Sequence, residues 1–229
     1  MTEPLVEAID VHVSFGPTPA LQGATLAVER GEFLAIMGPS GSGKSTLLHC
    51  LAGLLTPDRG QVRFDGRRID DLPDRQRTQL RRTDFGFVFQ FGQLMPELTA
   101  TDNIAMPLLL HGSRRGPALR TARAWLPRLG LSELGLRRTG ELSGGQAQRI
   151  AIARALVMQP RVLFADEPTG ALDTLAGEQV MALLTEIARD AGTTVILVTH
   201  DPRVAAYADR VVQVTDGAVS ELVFAARVR

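Results

Sequence analysis

Gly38-Pro39-Ser40-Gly41-Ser42-Gly43-Lys44-Ser45-Thr46 decides how this chain folds. It has the spacing G-x-x-x-x-G-K-[ST], in which backbone N–H groups surround a run of phosphates and a lysine reaches the terminal end. Upstream, Phe33-Leu34-Ala35-Ile36-Met37 is a short apolar run behind Gly31-Glu32, the pattern of a buried strand. Downstream, Ser45 to Ala52 has helical apolar spacing and stops at Gly53. Strand, glycine loop and helix in that order form the setting a phosphate loop requires, because the helix start adds free N–H groups and a positive dipole end. Gly38, Gly41 and Gly43 let the backbone wrap the phosphates, with Pro39, Ser40, Ser42 and Thr46 completing the loop. Lys44 is expected to neutralise the terminal phosphates and Ser45 to offer its hydroxyl to Mg²⁺. The plain alternative is a glycine-rich turn carrying a surface lysine.

Lys44 is also the one lysine of the chain; the other 24 of its 25 cationic residues are arginine. Lysine is a compact point charge on a flexible stem, whereas arginine is a planar fork. A chain that uses arginine everywhere else and lysine here points to a place the fork does not fit.

Acids and bases balance at 25 each, so no global basic field exists for nucleic acid, and none is expected as a partner. The pairs Arg67-Arg68, Arg81-Arg82, Arg114-Arg115 and Arg137-Arg138 read as solvated faces, with a partner-binding patch as the other reading. A single cysteine, Cys50, excludes an internal disulfide and suits a reducing compartment; its apolar helical surroundings suggest a buried structural thiol. The acidic N-terminus has no long apolar stretch of the signal-peptide kind, and no apolar run approaches the roughly 18 residues of a membrane span. A protein soluble by itself is therefore expected.

Leu5 to Val13 and Ala24 to Val28 alternate as strands, Gln61 to Phe64 leads to an Asp65-Gly66 turn, and Phe85 to Phe89 is a further strand ending at Gln90. From about Phe91 to Met158 helical periodicity dominates, over Thr101–Leu110, Ala118–Leu129 and Ser143–Met158. Strand-like runs return at Val162–Ala165, Thr193–Val198 and Val211–Val214, with a helix over Leu175–Arg189. Alternating strands and helices with buried-type strands predict an α/β fold: a mostly parallel sheet covered by helices, carrying an all-helical insert.

Two further stretches carry chemistry. In Val162-Leu163-Phe164-Ala165-Asp166-Glu167 a strand ends in two carboxylates, at the sheet edge where α/β proteins bind ligands. Asp166 is placed to reach Mg²⁺ and Glu167 to orient or deprotonate an attacking water, which argues for hydrolysis; the alternative is a pair of solvated loop acids. Leu142-Ser143-Gly144-Gly145-Gln146 precedes an apolar helix. Ser-x-x-Gln is a capping box, while two glycines, unneeded for a cap, leave bare N–H groups that suit an anion. The two readings are compatible.

With these three stretches in order, the chain resembles the nucleotide-binding subunit of an ABC (ATP-binding cassette) transporter, over roughly Leu5 to Leu222. The resemblance implies a P-loop ATPase with an antiparallel β subdomain added to the parallel core, and ATP and Mg²⁺ as ligands. Gln90 resembles the family's Q-loop glutamine, which senses Mg²⁺ and the γ-phosphate. Ala171-Leu172-Asp173 resembles the D-loop that contacts the opposing subunit. His200 resembles the switch histidine at the γ-phosphate, and Asp201-Pro202 after it reads independently as a helix cap followed by proline. Phe15 falls where the family carries a tyrosine that stacks on adenine; phenylalanine keeps the π-face and loses the hydroxyl. Ser143, Gly144, Gly145 and Gln146 form the signature, which in this family closes on ATP held by the P-loop of a second subunit. The resemblance thus implies a head-to-tail homodimer closing on two ATP.

Phe87 to Ala100 and Asp166-Glu167-Pro168-Thr169-Gly170-Ala171-Leu172-Asp173 resemble the macrolide-exporter and lipoprotein-release branch, with glycine at 170 where many importers carry serine. That branch implies an integral-membrane permease with four transmembrane helices and an extracytoplasmic domain. The subunit would sit at the cytoplasmic face, peripheral to the membrane. The ATPase of a small-solute importer is an alternative; a soluble ABC ATPase of translation or DNA repair fits less well, lacking a tandem cassette or long coiled-coil insert here. The expected organisation is one nucleotide-binding domain over 1–229. Residues 1–90 and 159–222 would form its ATP-binding core, 91–158 its helical subdomain and 223–229 a short tail.

Overall fold

A computed structural model describes residues 3–222, so the expected tail lies outside the described residues. The chain divides into two compact units, 1–81 with 194–229, and 82–193.

In the first unit, β1 (Val6–Phe15) and β2 (Thr18–Val28) form an antiparallel hairpin, and β1 also pairs with β4 (Arg59–Phe64). With β5 (Arg67–Arg68) they make an antiparallel sheet in the order β2-β1-β4-β5. β2 begins six residues before the expected start at Ala24, because Thr18-Pro19 pairs with β1 without showing alternation. β3 (Phe33–Met37) pairs in parallel with β8 (Thr194–Val198) and β9 (Arg210–Thr215), and β10 (Ala218–Leu222) closes antiparallel on β9. β3 and β8 are buried along nearly their whole length, which is why they read as unbroken apolar runs. The helix α1 (Lys44–Leu51) lays Leu47, Leu48 and Leu51 into this core and contacts β1, β2, β4 and β8.

Asp70 staples the β4–β5 end. Its side chain, 6 % exposed, accepts from the Val62 N–H at 2.8 Å and from Arg68 Nη2 at 2.7 Å. Burial alone would raise the Asp70 carboxyl, but these hydrogen bonds outweigh it and hold the pKa below the usual carboxylate range. Next along the chain comes α2 (Asp74–Thr83), which buries no residue and has no counterpart among the sequence expectations. Cys50 is buried as expected, and desolvation pushes its thiol up to about 12.

In the second unit, β6 (Phe85–Phe89) pairs in parallel with β7 (Val162–Asp166), and Phe85 and Phe87 pack on Phe164 with ring centroids 5.2 and 5.6 Å apart. Around them lie α3 (Ala100–Leu110), α4 (Arg115–Arg128), α5 (Gly144–Leu156) and α6 (Thr174–Asp190). The helical stretch expected between 91 and 158 holds α3, α4 and α5. α5 contacts α3, α6 and β6. Gly86 is glycine because a Cβ there would come within 2.5 Å of the Ala155 carbonyl.

The arginine pairs are tied locally. Arg68 meets Asp70, Arg81 donates to the Gly53 carbonyl, Arg115 meets Asp102 and Arg137 meets Glu141. Among the described residues no helix is long and apolar enough to cross a membrane.

Candidate functional site

The loop from Gly38 to Gly43 is shaped by close contact as well as by phosphate-loop spacing. A Cβ at Gly38 would stand 2.2 Å from the Val214 carbonyl, and one at Gly43 2.3 Å from that of Ala20; both positions have positive φ, 147° and 102°. The backbone is thereby held between β9 and β2. Lys44, 8 % exposed, folds its Nζ back to donate to the Pro39 carbonyl at 2.8 Å, so the charge lies inside the loop. Ser42 Oγ is buried and has no hydrogen-bond partner among the described residues. Gly43 is the N-cap of α1 and gives it no side-chain cap, so the helix start presents main-chain N–H groups. A concave loop with an internal cation, an orphan hydroxyl and an uncapped helix is chemically suited to an anion with several oxygens.

In the same unit Thr199 N–H donates to the Ile36 carbonyl at 3.1 Å, which sets His200 and Gly38 at the same, C-terminal, end of the neighbouring strands β8 and β3. His200 is exposed. Asp201 caps α7 (Pro202–Ala205) through the Arg203 N–H at 2.9 Å, with proline opening the helix as expected. Hydrogen bonds from the Arg203 side chain and N–H hold the Asp201 carboxyl below its ordinary value. Phe15, at the end of β1, is 58 % exposed, a flat apolar face turned to solvent.

The second unit assembles the remaining candidates. The register Phe89↔Asp166 sets Gln90 beside Glu167 at the C-terminal ends of β6 and β7. Glu167 takes a left-handed backbone, φ 48°, uncommon for a residue with a side chain. The chain then turns through Thr169 and Gly170 to Asp173, which caps α6 by accepting from the Ala176 N–H at 2.9 Å.

Ser143 and Gln146 form the expected capping box: Gln146 N–H donates to Ser143 Oγ at 3.3 Å, and Ser143 N–H to Gln146 Oε1 at 2.9 Å. The Gln146 side chain is thus folded back onto the cap. Gly144 and Gly145 lie against the turn that leads into α6; Cβ atoms there would come within 3.2 Å of Leu172 and 3.4 Å of Ala176. The signature and the Leu172-Asp173 turn are therefore neighbours, a proximity invisible in their sequence separation.

Sequence reasoning passed over Gln148 and Arg154 around Gln90 and read Gly170 only as a mark of the branch. Gln148 and Arg154, on α5, donate to carbonyls on either side of it, and Gly170 lies against its side chain. The available signal was two polar residues within a helix otherwise buried by Ile150, Ala151, Ile152 and Ala153.

Comparison with known proteins agrees over most of the chain. The family profile described as ABC transporter matches residues 21–170. A lipoprotein-releasing system ATP-binding protein LolD of Anaeromyxobacter dehalogenans is 47 % identical over 221 residues, covering 94 % of this chain and 92 % of that protein. A macrolide export ATP-binding/permease protein MacB of Marinobacter nauticus is 48 % identical over 224 residues, 95 % of this chain. The chain spans only about a third of that relative, 34 % of its length. Among solved structures, the ATP-binding cassette MJ0796, as a dimer in a post-hydrolysis state with ADP and Pi, superposes with a TM-score of 0.86 at 38 % identity, covering 96 % of this chain and 100 % of that one. The two share one fold.

Proposed function

This chain belongs to the ABC transporter family, and from that premise we propose that it is the ATP-binding and ATP-hydrolysing subunit of a transporter of the lipoprotein-release and macrolide-export type. The observation that carries this reading is the β3–α1 loop, where Lys44 is turned inward and Ser42 Oγ is buried unpartnered at an uncapped helix start.

ATP binds with its phosphates in the loop 38–46, where main-chain N–H groups and Lys44 meet the β and γ oxygens. Phe15 stacks on the adenine through its exposed ring. Glu167 orients the attacking water and takes its proton on a carboxylate oxygen. His200 hydrogen-bonds the γ-phosphate and steadies the charge that develops there. Gln90 contacts the γ-phosphate end and reports its state.

Ser45, Gln90 and Asp166 are the residues that would hold Mg²⁺, which when bound neutralises phosphate charge. The donor set fits that ion. It is all oxygen, with one carboxylate, which suits a hard cation.

The chain acts as one nucleotide-binding domain in a head-to-tail homodimer. Ser143 to Gln146 of one protomer close on the ATP held by the other, and Asp173 lies at that junction. Closing and reopening drive an integral-membrane permease with four transmembrane helices and an extracytoplasmic domain, to which the subunit is peripheral on the cytoplasmic face. The LolD and MacB relatives support this branch.

Glu167→Gln removes the carboxylate with little change in volume. It is expected to lower turnover by at least about 100-fold while leaving ATP affinity within about twofold. Steady-state hydrolysis and equilibrium nucleotide binding check this, and hydrolysis at the unmodified rate would sink the assignment of Glu167.

A further inference from the structure

One helix grips the main chain on both sides of Gln90. Gln148 Nε2 donates to the Phe89 carbonyl at 2.9 Å, just before Gln90. Arg154 Nη2 and Nη1 donate to the Gly92 and Gln93 carbonyls, each at 2.7 Å, just after it. Both donors stand on α5, whose first turn is Gly144-Gly145-Gln146. Gln148 is 2 % exposed, so its amide is committed to this contact. Burial pulls the Arg154 pKa below the ordinary arginine value, and among the described residues its guanidinium rests on carbonyls rather than on a carboxylate. A desolvated cation spanning two consecutive carbonyls uses the planar fork that lysine lacks.

The side chain of Gln90 is bounded as well. A Cβ on Gly170 would lie 2.9 Å from Gln90 Nε2 and 3.2 Å from its Cδ. A side chain at 170 would press on the amide as it lies here.

We propose that Gln148, Arg154 and Gly170 are positioning residues for Gln90: α5 holds the backbone on either side, and the bare turn at Gly170 gives the amide its place. The helix that begins at the signature therefore also sets Gln90, so a displacement of Ser143–Gln146 carries Gln90 with it. This rests on the reading of Gln90 as the residue that contacts the γ-phosphate end.

Gly170→Ala tests the seat of the amide. The nearest atom is the far end of a flexible side chain, so the fold accommodates the methyl while Gln90 moves. We expect kcat for ATP to fall about tenfold with KM within about twofold, as for a misplaced catalytic contact. In a Gln90→Ala background the same substitution should add nothing. Arg154→Met tests the grip without nucleotide: amide exchange over residues 90–95 should quicken at least about tenfold, and Arg154→Lys, with one point donor, should restore part of the protection. Unchanged kcat in Gly170→Ala, or a loss that persists in the Gln90→Ala background, would overturn the seat and leave Gln90 its role. Unchanged exchange in Arg154→Met would overturn the grip. A Gln90→Ala protein with full activity would overturn the role of Gln90 itself, and the positioning with it.

Discussion

At the scale of single residues, Lys44 combines two properties: it is the one lysine of the chain and it is folded inward onto the Pro39 carbonyl. A lysine-directed acylating reagent thus has one side-chain target, already slow because its nitrogen is hydrogen-bonded and largely covered. ATP with Mg²⁺ should slow it further, read by peptide mapping that separates Lys44 from the α-amino group. Equal labelling with and without nucleotide would refute contact between Lys44 and the phosphates. The place of Lys44 in the β3–α1 loop was legible in the sequence because loop spacing and composition coincide there. Arg154 was not. Its partners are main-chain carbonyls some sixty residues away, 61 for Gln93 and 62 for Gly92, and no periodicity encodes such a contact.

At the scale of elements, legibility followed burial. β3, β7 and β8 are buried along nearly their whole length, so their apolar runs marked them closely. α2 buries nothing, and a helix of charges and glutamines leaves no apolar stripe to read. β5 has two residues and is held by pairing with β4 and by Asp70, a tertiary arrangement. That arrangement predicts a pH dependence. The Asp70 carboxyl is depressed in the folded chain, so its contribution is present above the ordinary aspartate pKa of about 4 and is lost as pH falls through the lower folded value. Asp70→Asn should cost about 1 kcal/mol at pH 7, discounted because Arg68 is 42 % exposed. The gap between the two proteins should narrow below about pH 4. Urea denaturation at both pH values checks this, and a gap that widens on acidification would contradict it.

At the scale of the whole molecule, the sequence carries one phosphate loop and one signature, Gly38–Thr46 and Leu142–Gln146. With acids and bases equal at 25 each, net charge does not oppose self-association. Glu167→Gln should therefore accumulate as a dimer when ATP and Mg²⁺ are added, seen as a doubling of mass in sedimentation. The ATP-binding cassette MJ0796 is known as a dimer, which supports the expectation. A protein that stays monomeric at saturating ATP would mean that closure needs the permease.

Position 167 sets the fold and the chemistry at odds. A left-handed backbone at a side-chain-bearing residue costs about 1 kcal/mol or more that glycine would not incur. The backbone at this position favours glycine; on the role proposed for Glu167, turnover is what keeps a carboxylate there. A library of this chain screened by heat, without an activity screen beside it, would drift toward sturdy and inert proteins, beginning at this residue.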